Sequence, residues 1–189
     1  NKFIILLPGR LTNWKGQKVF IEAIKLLNNK SDIPPFEAII LGSDQGRNVY
    51  KKQLIDLVHQ HRLVKVIKFI EHCAEMPVAY GIANMVCSCS LEPEAFGRVA
   101  VEAQSMQVPI VASNIGGSKE TIVEGKTGYL FKNNDPFDLS NWITTVMLKD
   151  YNSLKAIGFE GRINVLKKFD VDKMCQTTFT EYKKLIELT

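Results

Sequence analysis

The chain has 189 residues, the size of one ordinary domain. With 46% hydrophobic and 23% charged residues it can build a globular core, which excludes a disordered chain. The net charge of +4 is small and the lysines are spread along the chain, so nucleic-acid binding has no support. No apolar run reaches the ~18 residues needed to cross a bilayer.

The first element is a continuous apolar run at 2–8, which suits a strand covered on both faces. A helix follows, with Val19, Phe20, Ala23, Ile24 and Leu27 at helical spacing; Asn28-Asn29 and Pro34-Pro35 end it. Strands are then expected at 36–41, 64–70, 85–89 and 109–112, with a short extended piece at 128–131. The intervening helices fall at 49–60, 76–83, 96–106 and 118–123. The segment at 136–188 reads as all helix, in three pieces at 136–148, 152–167 and 171–188. Strands alternating with helices predict an α/β, Rossmann-like, doubly wound parallel sheet in a single domain spanning 1–189. Cys87 and Cys89 sit two apart in a strand and should share one buried face. With Cys73 and Cys175 they show no C-x-x-C spacing and no His cluster, which argues against a zinc site and fits a reducing cytosol.

In such sheets ligands bind outside the carboxyl ends of the strands, so the turns there carry the candidate chemistry. The first turn, Pro8-Gly9-Arg10-Leu11-Thr12-Asn13-Trp14-Lys15-Gly16, puts a glycine beside two cations. Gly9 lets backbone approach a ligand, Arg10 can grip phosphate oxygens with two hydrogen bonds, and Lys15 adds a point charge. The bland alternative is a polar turn with Lys15 in solvent. The second turn, Gly42-Ser43-Asp44-Gln45-Gly46, is glycine-rich, but neither G-x-G-x-x-G nor a P-loop occurs.

The loop 92–98 holds Phe96 and Gly97 where a helix should begin, and a helix start is an anion site. Glu94 precedes that start. Glu102 lies inside the helix between Val101 and Ala103, where a partly buried carboxylate needs a partner such as a ligand hydroxyl. Glu94 as a helix cap and Glu102 as a surface residue are the bland alternatives. Gly116-Gly117 offer further backbone donors at a helix start or, equally, a structural turn. His59, His61 and His72 form no Ser-His-Asp order, which leaves nucleophilic hydrolysis without support.

Four pieces occur in order: G-R-L-x3-K-G, then a Gly-Ser-Asp turn. Next comes an E-x7-E element from Glu94 to Glu102, and then P-I-V-A-S-N-I-G-G-S-K-E. Together they resemble the C-terminal, donor-binding domain of retaining glycosyltransferases with the two-domain GT-B fold, the large family 4 group, over nearly the whole chain. The resemblance implies a nucleoside diphosphate sugar as donor, UDP- or GDP-linked, with no metal or other cofactor. It assigns Gly9, Arg10, Lys15, Phe96, Gly97 and Arg98 to the diphosphate and Glu102 to the ribose. Glu94 becomes the catalytic-region carboxylate, near the hydroxyls of the transferred sugar. Gly42, Ile70, Glu71 and His72 fall at the base region, where Glu71-His72 departs from the family's glycine.

The resemblance further implies that the acceptor, a sugar or lipid, is held by an N-terminal domain absent from this chain. The setting would be cytoplasmic, with room for peripheral contact at the inner face of a cell membrane, and surface polysaccharide synthesis would be a fitting pathway. The last helix would normally pack on the partner domain, leaving Val171, Met174, Phe179, Tyr182 and Leu185 without cover. A sugar-nucleotide epimerase of similar build and a non-catalytic binding module are the rival readings. A nicotinamide dehydrogenase is disfavoured by the missing G-x-G-x-x-G.

Overall fold

The computed structural model describes residues 2–187. Six parallel strands form one sheet: β1 (Phe3–Pro8), β2 (Phe36–Leu41), β3 (Ile67–Ile70), β4 (Met85–Ser88), β5 (Ile110–Ser113) and β6 (Tyr129–Phe131). Their order is β3-β2-β1-β4-β5-β6, so the direction of winding reverses between β1 and β4. The helices are α1 (Gln17–Asn28), α2 (Asn48–Gln60), α3 (Met76–Ile82), α4 (Arg98–Ser105), α5 (Ser118–Thr121), α6 (Pro136–Met147), α7 (Tyr151–Lys168) and α8 (Val171–Glu187). The expected α/β, doubly wound, Rossmann-like parallel sheet is what forms.

The continuous apolar runs explain why the sheet is covered twice. Ile5 and Leu7 of β1 face a core with Phe20 and Ile24 of α1, Leu54 of α2 and Ile143 of α6. Leu6, between them, faces the opposite core with Ala79 and Tyr80 of α3 and Ala100 and Ala103 of α4. Side chains on a strand alternate faces, so a strand buried on both sides has no polar register. Cys87 and Cys89 share the first core, as their spacing predicts, and burial pushes both thiols above their ordinary range.

Most boundaries fall within one residue of the sequence expectation; three differ by two or more, each for a local reason. The strand expected at 64–70 begins at Ile67, because Val66 and Ile67 both donate backbone bonds to the Leu63 carbonyl and close a turn. The helix expected from Phe96 begins at Arg98, because Gly97 takes a left-handed φ of 77° that a helix cannot continue through. The helix expected at 118–123 stops at Thr121, after which Ile122 is extended and the Thr127 hydroxyl accepts from the Val123 amide.

Among the described residues, no helix is long and apolar enough to cross a membrane. The expected final helix is present to Glu187; Leu188, like Asn1 and Thr189, lies outside the described residues. No residue of α8 is buried, and Val171, Met174, Phe179, Tyr182 and Leu185 are all exposed.

Candidate functional site

A cleft of about 590 Å³ opens outside the carboxyl ends of β1, β2 and β3, walled by α3 and the first turns of α4. Its position, at the point where the strand order reverses, is where doubly wound sheets bind ligands. Of the residues singled out from the sequence, Gly9, Arg10, Lys15, Gly42, His72, Glu94, Arg98 and Glu102 line it.

The cationic wall of the cleft starts after β1. Residues Asn13–Lys15 form one 3-10 turn, closed by the Lys15 amide on the Thr12 carbonyl at 3.0 Å. That turn presents Lys15, whose Nζ lies 2.7 Å from Glu94 Oε1 and 4.5 Å from the centre of the Trp14 ring. The Ser90 hydroxyl donates to the same Glu94 oxygen. Lys15 and Glu94 keep only 14% and 19% of their side-chain surface, so the pair is largely desolvated and its charges act at short range. Glu94 is thus tied to a cation and a hydroxyl, and Lys15 is no solvated lysine. The Arg10 backbone is fixed from behind: its carbonyl accepts from buried Gln17 Nε2 at 2.8 Å, and the Tyr50 hydroxyl lies 3.2 Å from Gln17 Oε1.

Helix α4 points its start at the cleft. No side chain caps it, and Arg98 and Val99 of its first turn line the cavity. Its open N–H groups and dipole, with Arg10, Lys15 and Arg98, make this wall suited to an anion. Glu102, one turn further in, is half-buried, and its Oε2 accepts from the Tyr80 hydroxyl at 2.7 Å.

Two glycine positions hold this arrangement. A Cβ on Gly42, where φ is +155°, would sit 2.0 Å from the Gly9 carbonyl oxygen, so the turns after β1 and β2 touch backbone to backbone. Gly116-Gly117 do the same for the Glu94 loop. A Cβ on Gly117 would sit 2.4 Å from the Phe96 carbonyl, and the Gly117 amide donates to the Glu94 carbonyl at 2.8 Å. The paired glycines are a structural support for that loop, one of the two roles left open by their sequence.

Four expected residues fall outside the cleft lining. Phe96 packs edge-on against Phe169, with ring centres 5.5 Å apart, and Gly97 is buried as the residue preceding α4. Ile70 is exposed, and the Glu71 carboxylate points to the surface, where it pairs with Lys51. For Phe96, Ile70 and Glu71 the sequence marks which loop the residue occupies, whereas the local backbone decides which way its side chain leaves. Conversely, Trp14, Ser43, Gln45, Cys73, Met76, Tyr80 and Val99 line the cleft without being sought there. Among the described residues, no group of three or more His, Cys, Asp or Glu is placed to hold a metal ion.

The family model for glycosyl transferases group 1 matches residues 1–163. The D-inositol 3-phosphate glycosyltransferase of Paenarthrobacter aurescens is 34% identical over 145 residues, 73% of this chain and 34% of that protein. A glycosyltransferase structure from Rickettsia africae superposes with a TM-score of 0.93 at 29% identity, covering 100% of this chain and 49% of that one. The structure of Anabaena HepE in complex with UDP and glucose superposes with a TM-score of 0.88 at 29% identity, covering 97% of this chain and 49% of that one. The chain therefore spans half or less of the length of these proteins. From its sequence motifs, its sheet and the match over residues 1–163, the chain belongs to the group 1 glycosyltransferases.

Proposed function

We propose that this chain is the donor-binding half of a glycosyltransferase that takes a sugar from a nucleoside diphosphate sugar and passes it, with retention, to an acceptor held by another domain. The observation that carries this reading is the wall formed by Arg10, Lys15, Arg98 and the uncapped start of α4. Three side-chain cations and free backbone amides converge there, with carboxylates on either side. Cations and amides match a diphosphate; Glu94 and Glu102 match hydroxyls.

In this reading the diphosphate leaves as the bond from the sugar's anomeric carbon to phosphate oxygen breaks. Negative charge then builds on the phosphate, and Lys15, Arg10, Arg98 and the α4 amides stabilise it in a cleft already organised for it. Glu94 holds Lys15 in place through Oε1. Its Oε2, which has no hydrogen-bond partner among the described residues, accepts from a sugar hydroxyl. Glu102 takes the ribose and the turn around Gly42 and His72 lies towards the base. UDP is the first nucleotide to try, because the HepE structure holds UDP and glucose.

Titration calorimetry with UDP, GDP and ADP and their glucose conjugates tests the reading. At least one should bind in the micromolar range, and uridine, guanosine and adenosine should bind far more weakly. No binding by any diphosphate, or equal binding of diphosphate and nucleoside, would overturn it.

A further inference from the structure

Among the described residues lining the cleft, Tyr80 alone is both wholly embedded and polar at its tip. It is 2% exposed, and its ring packs in the second core with Ala79, Ala100 and Ala103. A phenol buried to that extent needs an acceptor. The acceptor it has is a side chain of the cleft: Glu102 Oε2, 2.7 Å away on a different helix. The other carboxylate oxygen, Oε1, has no partner among the described residues. Burial, then the bond to Glu102, keeps the phenol well above its ordinary range, so it remains a donor throughout physiological pH. The contact therefore ties a ligand-facing carboxylate to the rigid interior at one oxygen and leaves the second oxygen available.

We propose that Tyr80 is a positioning residue for nucleotide binding, fixing one oxygen of Glu102 so that the other accepts from the ribose hydroxyls. This rests on the assignment of Glu102 to the ribose. The physical gain is preorganisation. A glutamate side chain free to rotate loses that freedom when it binds, whereas one held at Oε2 has lost it already. The packing also explains why tyrosine serves here. The ring fills the gap between α3 and the sheet, and its length carries the hydroxyl to the cleft edge without a solvated polar group inside the core.

The test compares Tyr80→Phe, Glu102→Gln, the double variant and the unaltered chain. The ligands are whichever of UDP, GDP and ADP binds best, and its 2′,3′-dideoxy counterpart, which lacks both ribose hydroxyls. Calorimetry gives the ratio of the two affinities for each protein. Because the ratio is formed within one protein, any unfolded fraction cancels, so a small loss of stability in Y80F does not disturb it. The unaltered chain should prefer the ribose form. Y80F should weaken the ribose form about fivefold and the dideoxy form much less, so its ratio falls. E102Q should lower the ratio further, and adding Y80F to E102Q should change it little more, because both act through one contact. If E102Q lowers the ratio and Y80F leaves it intact, Tyr80 is structural only and the proposal is overturned while the ribose assignment stands. If E102Q leaves the ratio unchanged, the ribose assignment falls and the proposal with it.

Discussion

The two ends of the cleft are built differently. At the end proposed for diphosphate and ribose the groups are held by one another: Lys15 on Glu94, Ser90 on Glu94, Arg10's carbonyl on Gln17, Glu102 on Tyr80. At the other end the backbone is tied across strands, the Gly42 amide to the Ile70 carbonyl and the Leu11 amide to the Ser43 carbonyl, but the side chains are held locally or left exposed. The Ser43 hydroxyl takes the Gln45 amide and the Asp44 carboxylate takes the Gly46 amide, while Glu71 and His72 are exposed. Diphosphate and ribose are common to all nucleoside diphosphates; the base is the part that varies. In the proposed reading, the difference puts affinity in the rigid end and selection of the base in a more solvent-exposed one.

The largest expected effect comes from joining the ends wrongly. Gly42→Ala puts a methyl 2.0 Å from the Gly9 carbonyl, backbone against backbone, at a φ of +155°. The first two turns must separate, so the variant should lose about 3 kcal/mol or more of stability and bind no diphosphate measurably. Chemical denaturation followed by calorimetry checks both. A variant of normal stability and affinity would show that the two ends do not depend on one another.

Next, Lys15→Ala removes the contact proposed for the phosphate and leaves Glu94 without its cation. Diphosphate binding should weaken roughly ten- to a hundredfold, with nucleoside binding nearly unchanged. Equal losses for both ligands would mean that Lys15 supports the fold of the whole cleft rather than the phosphate.

Gln17→Leu tests whether the rigid end depends on its buried support. The change removes the bond to Arg10's carbonyl and the polar partner of Tyr50, and should cost about 1–3 kcal/mol of stability. Diphosphate affinity should fall several-fold through the displaced Arg10 turn. Unchanged affinity in a folded variant would show that Arg10 does not need this anchor.

The same support has a pH signature. Burial pushes Tyr50 up to about 12 and Tyr80 higher still, from an ordinary value of 10.0. The unfolded chain releases these protons near pH 10 while the folded chain retains them. Stability from this source is therefore intact below pH 10 and falls as pH rises towards 12. The slope is at most about 1.4 kcal/mol per pH unit for each phenol. Denaturation midpoints at pH 9, 10 and 11 measure the fall, which Y80F should reduce.

The smallest effect is expected at the base end. His72→Ala removes an exposed side chain with no hydrogen bond among the described residues, and should change affinity for any one nucleotide by less than about threefold. The preference among UDP, GDP and ADP should shift more than the affinity for any one of them. A larger general loss would place His72 with the built end.

The sequence by itself determined the sheet and the identity of the main charged groups. Apolar runs such as Ile4-Ile5-Leu6-Leu7 suit strands covered on both faces, and strand–helix alternation puts their carboxyl-end turns on one edge. Arg10, Lys15, Glu94 and Glu102 follow, since each occupies such a turn or the helix start beside it. Only the tertiary structure decided which side chains face inward and which residues hold the others. Glu71 and Phe96 sit in the expected loops but turn to Lys51 and Phe169. Tyr80 lies within α3 and Gln17 opens α1, and the spacing of neither helix marks a polar partner for them. Their partners, Glu102 and the Arg10 carbonyl, come from other segments of the chain, 22 and 7 residues away. A periodicity read within one element carries the direction of its faces but not the identity of the atoms waiting opposite, and those atoms are fixed only when the elements pack.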